Sequence, residues 1–524
     1  MNNLLSYKIK FKIDDEIDKP LIKKTFAMSV FLGTISSIFS FLNDYILAYG
    51  DAESHLNIAK RVVSGLVPGL AQLGGVWLPL PHILLIPFVY FDSLWQTGLA
   101  GSIVSGVCFA ISAIFIYKLT FLLVNKHSVS FLAAVVFITN PNILYLQSTP
   151  MSELPLIAFF LLNIYFFIKY LKKTDSILFL VSAAFFGFLA SLSRYDGWFL
   201  VIIEALFVLI LNLNKKGGLK IVEGNFLLFS SLAFYGMFLW IIWNYIIFKT
   251  PFYFLNSQFS AGSQQLAWLL RNELPAYKNI VLSFLYYFVT ALSNSGIIIF
   301  AVAIMGLVYF LINKNETNKF FITLTLLSPF IFYVISLFLG QSVIFIPILT
   351  PESFEWRLFN VRYGVMMVPA ASIFFAYFFK DLKKLSLIFV SSLLVFQTLL
   401  YVFGASSVIS LADGVYGLSA AKKVDAEEWM KKNYDGGLVL LDDYSRTLSV
   451  IRSNIKMKDL IYIGTKPYWE ESLDEPEKYA KWIVMQKEDE VWKKIYDRPE
   501  IQARLYKYFN KVYTSNEILI FKRI

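Results

Sequence analysis

The sequence predicts a polytopic α-helical membrane protein of about 11 transmembrane helices plus interfacial helices, followed by a C-terminal extracytoplasmic α/β domain. Three observations predict it. Apolar residues make up 57% of the 524-residue chain and charged residues only 16%, with a mean hydropathy of +0.60, whereas soluble domains hold closer to a quarter charged. The charges are segregated: of 84 Lys, Arg, Asp and Glu, 39 lie in the last 120 residues. Apolar stretches of spanning length recur up to about Gly404, separated by short polar turns.

The elements follow in order. Residues 1–24 carry Lys8, Lys10, Lys12, Lys19, Lys23 and Lys24 and read as a cytoplasmic N-terminal segment, with no cleavable signal expected. Residues 25–404 form the membrane domain. Spans are expected near 26–48, 97–124, 129–147, 153–171, 177–193, 197–213, 225–248, 296–312, 319–340, 360–379 and 386–404. Two further apolar stretches, 83–95 and 280–293, are short and read as re-entrant or interfacial. Lys126, Lys172, Lys173, Lys215, Lys216, Lys220, Lys314, Lys319, Lys380, Lys383 and Lys384 all fall on the side of the N-terminus, a consistent positive-inside pattern. Parity then places the domain at 405–524 outside, on the face of the first external loop. Its expected elements are a helix from Ala420 to Asn433, strands at Gly437–Leu441, Trp482–Met485 and Ile518–Phe521, and a helix over Pro499–Phe509.

The net charge of +10 is largely topological lysine. No phosphate-cradling glycine motif, zinc spacing or basic–aromatic array argues for nucleic acid. The single Cys108 excludes an intrachain disulfide.

The most informative stretch is Gly50-Asp51-Ala52-Glu53-Ser54-His55, at the end of the first span. Charges at a membrane boundary cost several kcal/mol unless paired or used. The same parity sends Ser152-Glu153, Arg194-Tyr195-Asp196-Gly197 and Asn360-Val361-Arg362-Tyr363 to the same side. Two arginines opposite carboxylates suit an anionic ligand, because the guanidinium fork clamps phosphate oxygens.

With Gly75-Val76-Trp77-Leu78-Pro79-Leu80-Pro81-His82, these motifs resemble the GT-C superfamily of glycosyltransferases. Within it, the chain resembles the protein O-mannosyltransferase and lipid A aminoarabinose transferase branch, over roughly residues 25–380. The resemblance implies a polyprenyl-phosphate sugar donor and a protein, lipid or glycan acceptor. It also implies action at the outer face of the plasma membrane. It maps the catalytic carboxylate onto Asp51, the second acidic position onto Glu153, and the lipid-phosphate partners onto Arg194 and Arg362. Glu53, His55 and His82 take supporting roles; Asp196, Tyr195, Tyr363 and Trp77 are candidate substrate contacts. Protein mannosyltransferases typically show an adjacent Asp-Glu pair, whereas Ala52 separates the two here, so Asp51 and Glu53 both stand as candidate bases.

A base to take the acceptor's proton and cations to hold the leaving phosphate suffice for direct, inverting displacement. No cofactor is implied, and a divalent metal finds no supporting ligand spacing, since Asp51 and His55 are only two residues one turn apart. Each residue also has a plainer reading. Asp51 could cap the following helix; Glu153 could be a dipole partner. Arg194 could pair with Asp196, and Arg362 with Glu352 or Glu355. Glu204, deep in its span, needs an interior partner. The polar-aromatic loop 249–278 and the loop 341–358 suit recognition or a flap, and equally suit an ordinary interfacial loop. The alternative function is a transporter or flippase of a lipid-linked or anionic solute; a structural assembly factor is a third reading. Polar clusters at one face, not mid-depth, and the lack of an internal repeat favour the enzyme.

Overall fold

The computed structural model describes residues 18–524 except 175, 214–217, 348, 351–357, 382–384, 405–406 and 445–446. Lys8, Lys10, Lys12, Lys215, Lys216, Glu352, Glu355, Lys383 and Lys384 therefore lie outside the described residues.

α1 (Lys19–Leu42) starts where the Asp18 side chain caps the Leu21 N–H and Pro20 occupies the first turn. It ends before residue 48, earlier than expected, in turns around Asn43 and Asp44. α2 (Gly50–Ser64) is amphipathic and follows immediately. α3 (Leu80–Val89) and α4 (Asp92–Thr97) divide the expected short stretch at 83–95. α5 (Leu99–Val124), α6 (His127–Ile138), α7 (Pro141–Leu146) and α8 (Glu153–Lys172) build the first half of the bundle. α9 (Ile177–Ser191) and α10 (Tyr195–Leu213) follow. α11 (Gly218–Ala233) and α12 (Tyr235–Phe248) follow each other with a bend of 44°. α13 (Tyr253–Asn256) and α14 (Ala261–Leu270) lie in the long loop. α15 (Ile280–Ser295) turns through 112° at Gly296 into α16 (Ile297–Ile312). α17 (Lys319–Leu326) and α18 (Ser328–Phe338) bend by 54°, next to Pro329. A 3₁₀ segment, Val361–Met367, runs into α19 (Val368–Phe378), and α20 (Leu385–Val402) closes the membrane part.

Each expected span overlaps one or more helical segments; 129–147 is divided between α6 and α7 at Thr139 and Asn140, and 360–379 begins as the 3₁₀ segment. By length and composition, four helices are long and apolar enough to cross a membrane, or up to seven with each bent pair counted as one span. α8 sits at the centre, with 83% of its apolar window buried, while α1 is peripheral at 22% and turns its other residues outward. Spans buried on all sides, such as α8, need no amphipathic stripe. Glu204, fully buried on α10, finds its partner in Asn163 Nδ2 of α8 at 2.8 Å.

The lysine-bearing turns meet at one end. Lys126 contacts Asp381, Lys380 contacts Glu316, and Asn318 donates to the Leu171 carbonyl. α8 spans about 30 Å, so Glu153 and the turns beside it belong to the opposite end.

α21 (Ile409–Tyr416) follows α20 but stays with the membrane helices, on α7 and the 3₁₀ segment, and Ile409 belongs to their apolar core. α22 (Asp425–Asn433) begins five residues later than expected because Ala420 is held in an antiparallel bridge with Tyr49. The tail sheet comprises β1 (Val439–Leu441) and β2 (Leu460–Ile461), then α23 (Tyr468–Asp474), α24 (Pro476–Tyr479) and β3 (Trp482–Gln486). α25 (Pro499–Tyr508), β4 (Phe509–Thr514) and β5 (Ile518–Arg523) complete it. Its order is β2-β1-β3-β5-β4, with β1 parallel to β2 and β3, and β5 antiparallel to β3 and β4.

Side chains alternate faces with period two. Val439, Leu441, Trp482, Val484, Ile518 and Ile520 lie on one face and belong to one buried apolar cluster with Leu56, Ala59, Leu85, Val89 and Trp95. Leu440, Ile483, Met485, Leu519 and Phe521 face the other way, onto Trp469, Ile501 and Leu505. The tail is therefore fused to α2 by apolar packing.

Candidate active site

Four turns deliver the site. The first is the start of α2, where Gly50 N–H donates to the Ser419 carbonyl at 3.0 Å and Ala421 N–H to the Ala48 carbonyl at 2.7 Å. The second is the buried loop before α8. Its backbone carbonyls would be costly in the bundle interior, and α5 satisfies them: Ser102 Oγ donates to Ser148 O at 2.6 Å and Ser105 Oγ to Thr149 O at 2.7 Å. The third joins α9 to α10. A Cβ on Gly197 would lie 2.3 Å from the Ala190 carbonyl, so only glycine lets the first turn of α10 press onto α9. The fourth is the 3₁₀ segment. A Cβ on Gly364 would sit 2.4 Å from the Thr290 carbonyl, and Asn294 Nδ2 donates to Val361 O at 2.7 Å, locking this turn on α15. Each arginine of the site lies within three residues of one of these close-approach glycines.

The side chains form one chain of ion pairs. Arg362 Nη2 donates to Asp51 Oδ2 at 2.7 Å and Arg362 Nε to Glu153 Oε1 at 3.2 Å. Arg194 Nη1 donates to the same Glu153 oxygen at 3.1 Å and to Ser152 Oγ at 2.9 Å. Arg194 Nε reaches Asp196 Oδ1 at 3.4 Å, and Tyr333 OH donates to Asp196 Oδ2 at 2.8 Å. The Tyr363 ring lies 5.2 Å from each guanidinium and stacks on Tyr333 at 5.1 Å. Tyr49 covers Arg362 from another side at 4.8 Å. Removing one partner from such a buried set costs about 3–5 kcal/mol, since a buried charge is left uncompensated.

Exposure grades the three carboxylates. The Glu153 side chain is 0% exposed and Asp196 4%, but Asp51 is 23% exposed. Asp51 is thus the reachable carboxylate of the chain, and the Arg194 side chain, 16% exposed, is its next most open member. Of the expected rivals, the Arg194–Asp196 pair is present and coexists with the larger network; Asp51 does not cap α2, whose N-cap is Tyr49 with no side-chain capping bond, and lies inside the first turn.

The other expected residues separate into two groups. His55 and His82 form a buried pair, Nδ1 to Nε2 at 2.8 Å, with the Trp77 ring 4.4 Å from His55. Burial holds the His55 imidazole down to about 4, so it is neutral at pH 7. Tyr195 turns away from the arginines, donating to the Val76 carbonyl at 2.6 Å and stacking on Phe254. Glu53 also leaves the site. It faces the tail, accepting from Ser449 Oγ at 2.6 Å and Ile451 N–H at 3.2 Å, and desolvation raises its carboxyl. The loop 249–278 packs Trp268 on Phe345 and Phe359 and rests Phe259 on Tyr444 of the tail. Among the described residues, no three His, Cys, Asp or Glu side chains converge as a metal site would require.

Sequence reasoning missed Tyr49, Tyr333, Asp413 and Ser419. Tyr49 OH reaches Asp413 Oδ2 at 3.2 Å, Arg362 Nη1 donates to Ser419 Oγ at 3.3 Å, and burial pushes the Asp413 carboxyl up to about 6. Asp413 and Ser419 reach the site only because α21 folds back into the bundle; the buried Ser410 hydroxyl bonded to Asn294 Oδ1 fastens it there.

The profile of the dolichyl-phosphate-mannose-protein mannosyltransferase family matches residues 94–243, which include Glu153, Arg194 and Asp196. Among curated protein sequences, none matches the chain. The crystal structure of ArnT from Cupriavidus metallidurans bound to undecaprenyl phosphate is similar at a TM-score of 0.59 and 10% identity, covering 97% of this chain and 99% of that one. The apo oligosaccharyltransferase of Archaeoglobus fulgidus is similar at a TM-score of 0.51 and 12% identity, over 97% of this chain and 75% of that one. At such identities the structures speak for the fold, which is the GT-C fold with a C-terminal domain. With the family match, they bear out the resemblance to the GT-C glycosyltransferases drawn from the sequence.

Proposed function

We propose that this chain transfers a sugar from a polyprenyl-phosphate carrier to an acceptor hydroxyl, with inversion, and that Asp51 is the general base. The observation that carries the reading is the position of Asp51 as the most exposed member of an arginine–carboxylate chain in which Glu153, Asp196 and Arg362 are buried. In the step, the acceptor oxygen attacks the anomeric carbon and its proton passes to the Asp51 carboxylate. The bond from the anomeric carbon to the phosphate oxygen breaks, and its electron pair leaves with polyprenyl phosphate. A single displacement inverts the anomeric centre.

Arg362 has five N–H donors, three of which meet Asp51, Glu153 and Ser419 among the described residues. The others are available to a phosphate oxygen beside Asp51. Arg194, joined to Arg362 through Glu153, adds positive potential where charge develops on the leaving group. Glu153 holds the two guanidinium groups in register, because one of its oxygens accepts from both. The lysine-rich end opposite the site supports an orientation with the N-terminus cytoplasmic and the tail outside the plasma membrane.

The test is transfer by reconstituted full-length protein, with dolichyl- or undecaprenyl-phosphate sugars supplied as donors. Asp51→Asn, nearly isosteric, is expected to lower turnover by about 10²–10⁴-fold while leaving the donor's KM close to wild type. Wild-type turnover in Asp51→Asn would remove Asp51 as the base.

A further inference from the structure

α2 carries Asp51 at its start and is otherwise gripped from two sides. On the membrane side, Lys60 Nζ donates to the Val89 carbonyl at 2.8 Å, and Trp95 Nε1 donates to Asn57 Oδ1 at 3.1 Å. On the tail side, Arg61 pairs with Asp443 and lies 3.9 Å over the Tyr462 ring, while Leu56 and Ala59 enter the tail core. These contacts set where α2 lies. They involve Leu56 and later residues, five or more positions beyond Asp51, so they do not by themselves fix the first turn.

Besides the Gly50 N–H bond to the Ser419 carbonyl and the Asp51–Arg362 pair, the first turn is anchored through the Glu53 side chain to the chain segment after β1. Ser449 and Ile451 begin a turn in which Ser453 N–H returns to the Ser449 carbonyl at 3.0 Å. The Glu53 carboxylate sits at its open start, taking Ser449 Oγ–H at 2.6 Å and Ile451 N–H at 3.2 Å. Behind it, Glu427 accepts from Ser449 N–H at 3.1 Å and from Arg452 Nη2 at 2.9 Å, which fixes the turn to α22. A carboxylate in this desolvated place is costly unless its oxygens are filled, and both are.

We propose that Glu53 is a positioning residue: the tail turn at Ser449–Ile451 holds its carboxylate and so fixes the rotation of the first turn of α2 that presents Asp51. The geometry is direct. Glu53 lies about 3 Å along the helix axis from Asp51 on the same turn, so a displaced anchor moves both. An error of about 1 Å at a reacting group can cost on the order of 10²-fold in rate. The consequence for the molecule is that the sheet-bearing part of the tail, which carries no evident catalytic group, acts on the reaction through the two hydrogen bonds to Glu53.

The functional half of the idea rests on Asp51 as the base; the structural half does not. The experiment therefore has two readouts on full-length protein in nanodiscs: hydrogen–deuterium exchange of residues 50–56, and turnover with dolichyl-phosphate mannose and undecaprenyl-phosphate sugars as probes. Ser449→Ala and Glu53→Gln should each speed exchange of the first-turn amides about tenfold and lower kcat about tenfold or more with little change in KM. Ser449→Thr, which keeps the hydroxyl, should restore both, and Ser449→Ala added to Glu53→Gln should cost little more. Unchanged first-turn exchange in Ser449→Ala, or a loss that appears only in KM, overturns the proposal. If Asp51→Asn keeps wild-type turnover, the base assignment falls, and the exchange data still decide whether the tail holds the turn.

Discussion

Glu153 is the residue on which the site's electrostatics turn. One fully buried oxygen accepts from two arginines on different elements, so the carboxylate ties α10 and the 3₁₀ segment to α8. Sequence placed Asp51, Glu153, Arg194, Asp196 and Arg362 on one face by counting spans, since parity fixes the side of every turn. It could not place Glu53 apart from them, because two residues of separation on a helix means opposite faces and only the tail says which face is which. His55 gives a pH prediction. Its imidazole is held at about 4 in the fold against about 6.5 unfolded, so the unfolded chain binds more protons between those values. Stability is then lost as pH falls through that window, by about 3 kcal/mol once below it. His55→Gln should lose less melting temperature than wild type between pH 7 and pH 4.5, measured by differential scanning fluorimetry in detergent. An equal or larger loss would contradict the buried, neutral imidazole.

Among the elements, the 3₁₀ segment is held to α15 at two points. It is pinned by Gly364 on the Thr290 carbonyl and by the Asn294 amide, and it carries Arg362 and Tyr363 between those pins. Gly364→Ala must push the segment off α15, because the obstructing atom is backbone and cannot rotate away. Arg362 should then lose its 2.7 Å contact with Asp51, at a cost of about 1–3 kcal/mol in stability. Turnover should fall by more than the stability loss explains, which a thermal melt run beside a transfer assay would show. The Arg-Tyr-Asp-Gly and Asn-Val-Arg-Tyr motifs were legible as polar turns at span ends. The glycines' reason was not, since close approach is a property of two elements together. The same holds for α22: helix propensity runs back to Ala420, but that residue lies opposite Tyr49 in a bridge closed by Gly50 N–H to the Ser419 carbonyl and Ala421 N–H to the Ala48 carbonyl.

At the scale of the whole molecule, the membrane part and the tail share one apolar core through α2. Leu56 is 0% exposed within it. Leu56→Ala should cost about 3 kcal/mol and loosen both parts together, so tryptophan fluorescence and far-UV circular dichroism should shift to lower temperature in parallel. Loss of the tail transition alone would mean that the two parts are separable. By itself the sequence determined the membrane class, the order of spans, the tail's principal strands and the face on which the charged turns gather. It could do so because hydropathy and lysine bias are local in the chain and act against an external reference, the bilayer. Tertiary structure alone decided which carboxylate is reachable and which faces the tail. It also decided that α21 returns to supply Ser419 and Asp413, and that α2 is held from both sides. Those outcomes depend on contacts between residues hundreds of positions apart, such as Glu53 with Ser449 and Asp51 with Arg362, and no local pattern encodes them.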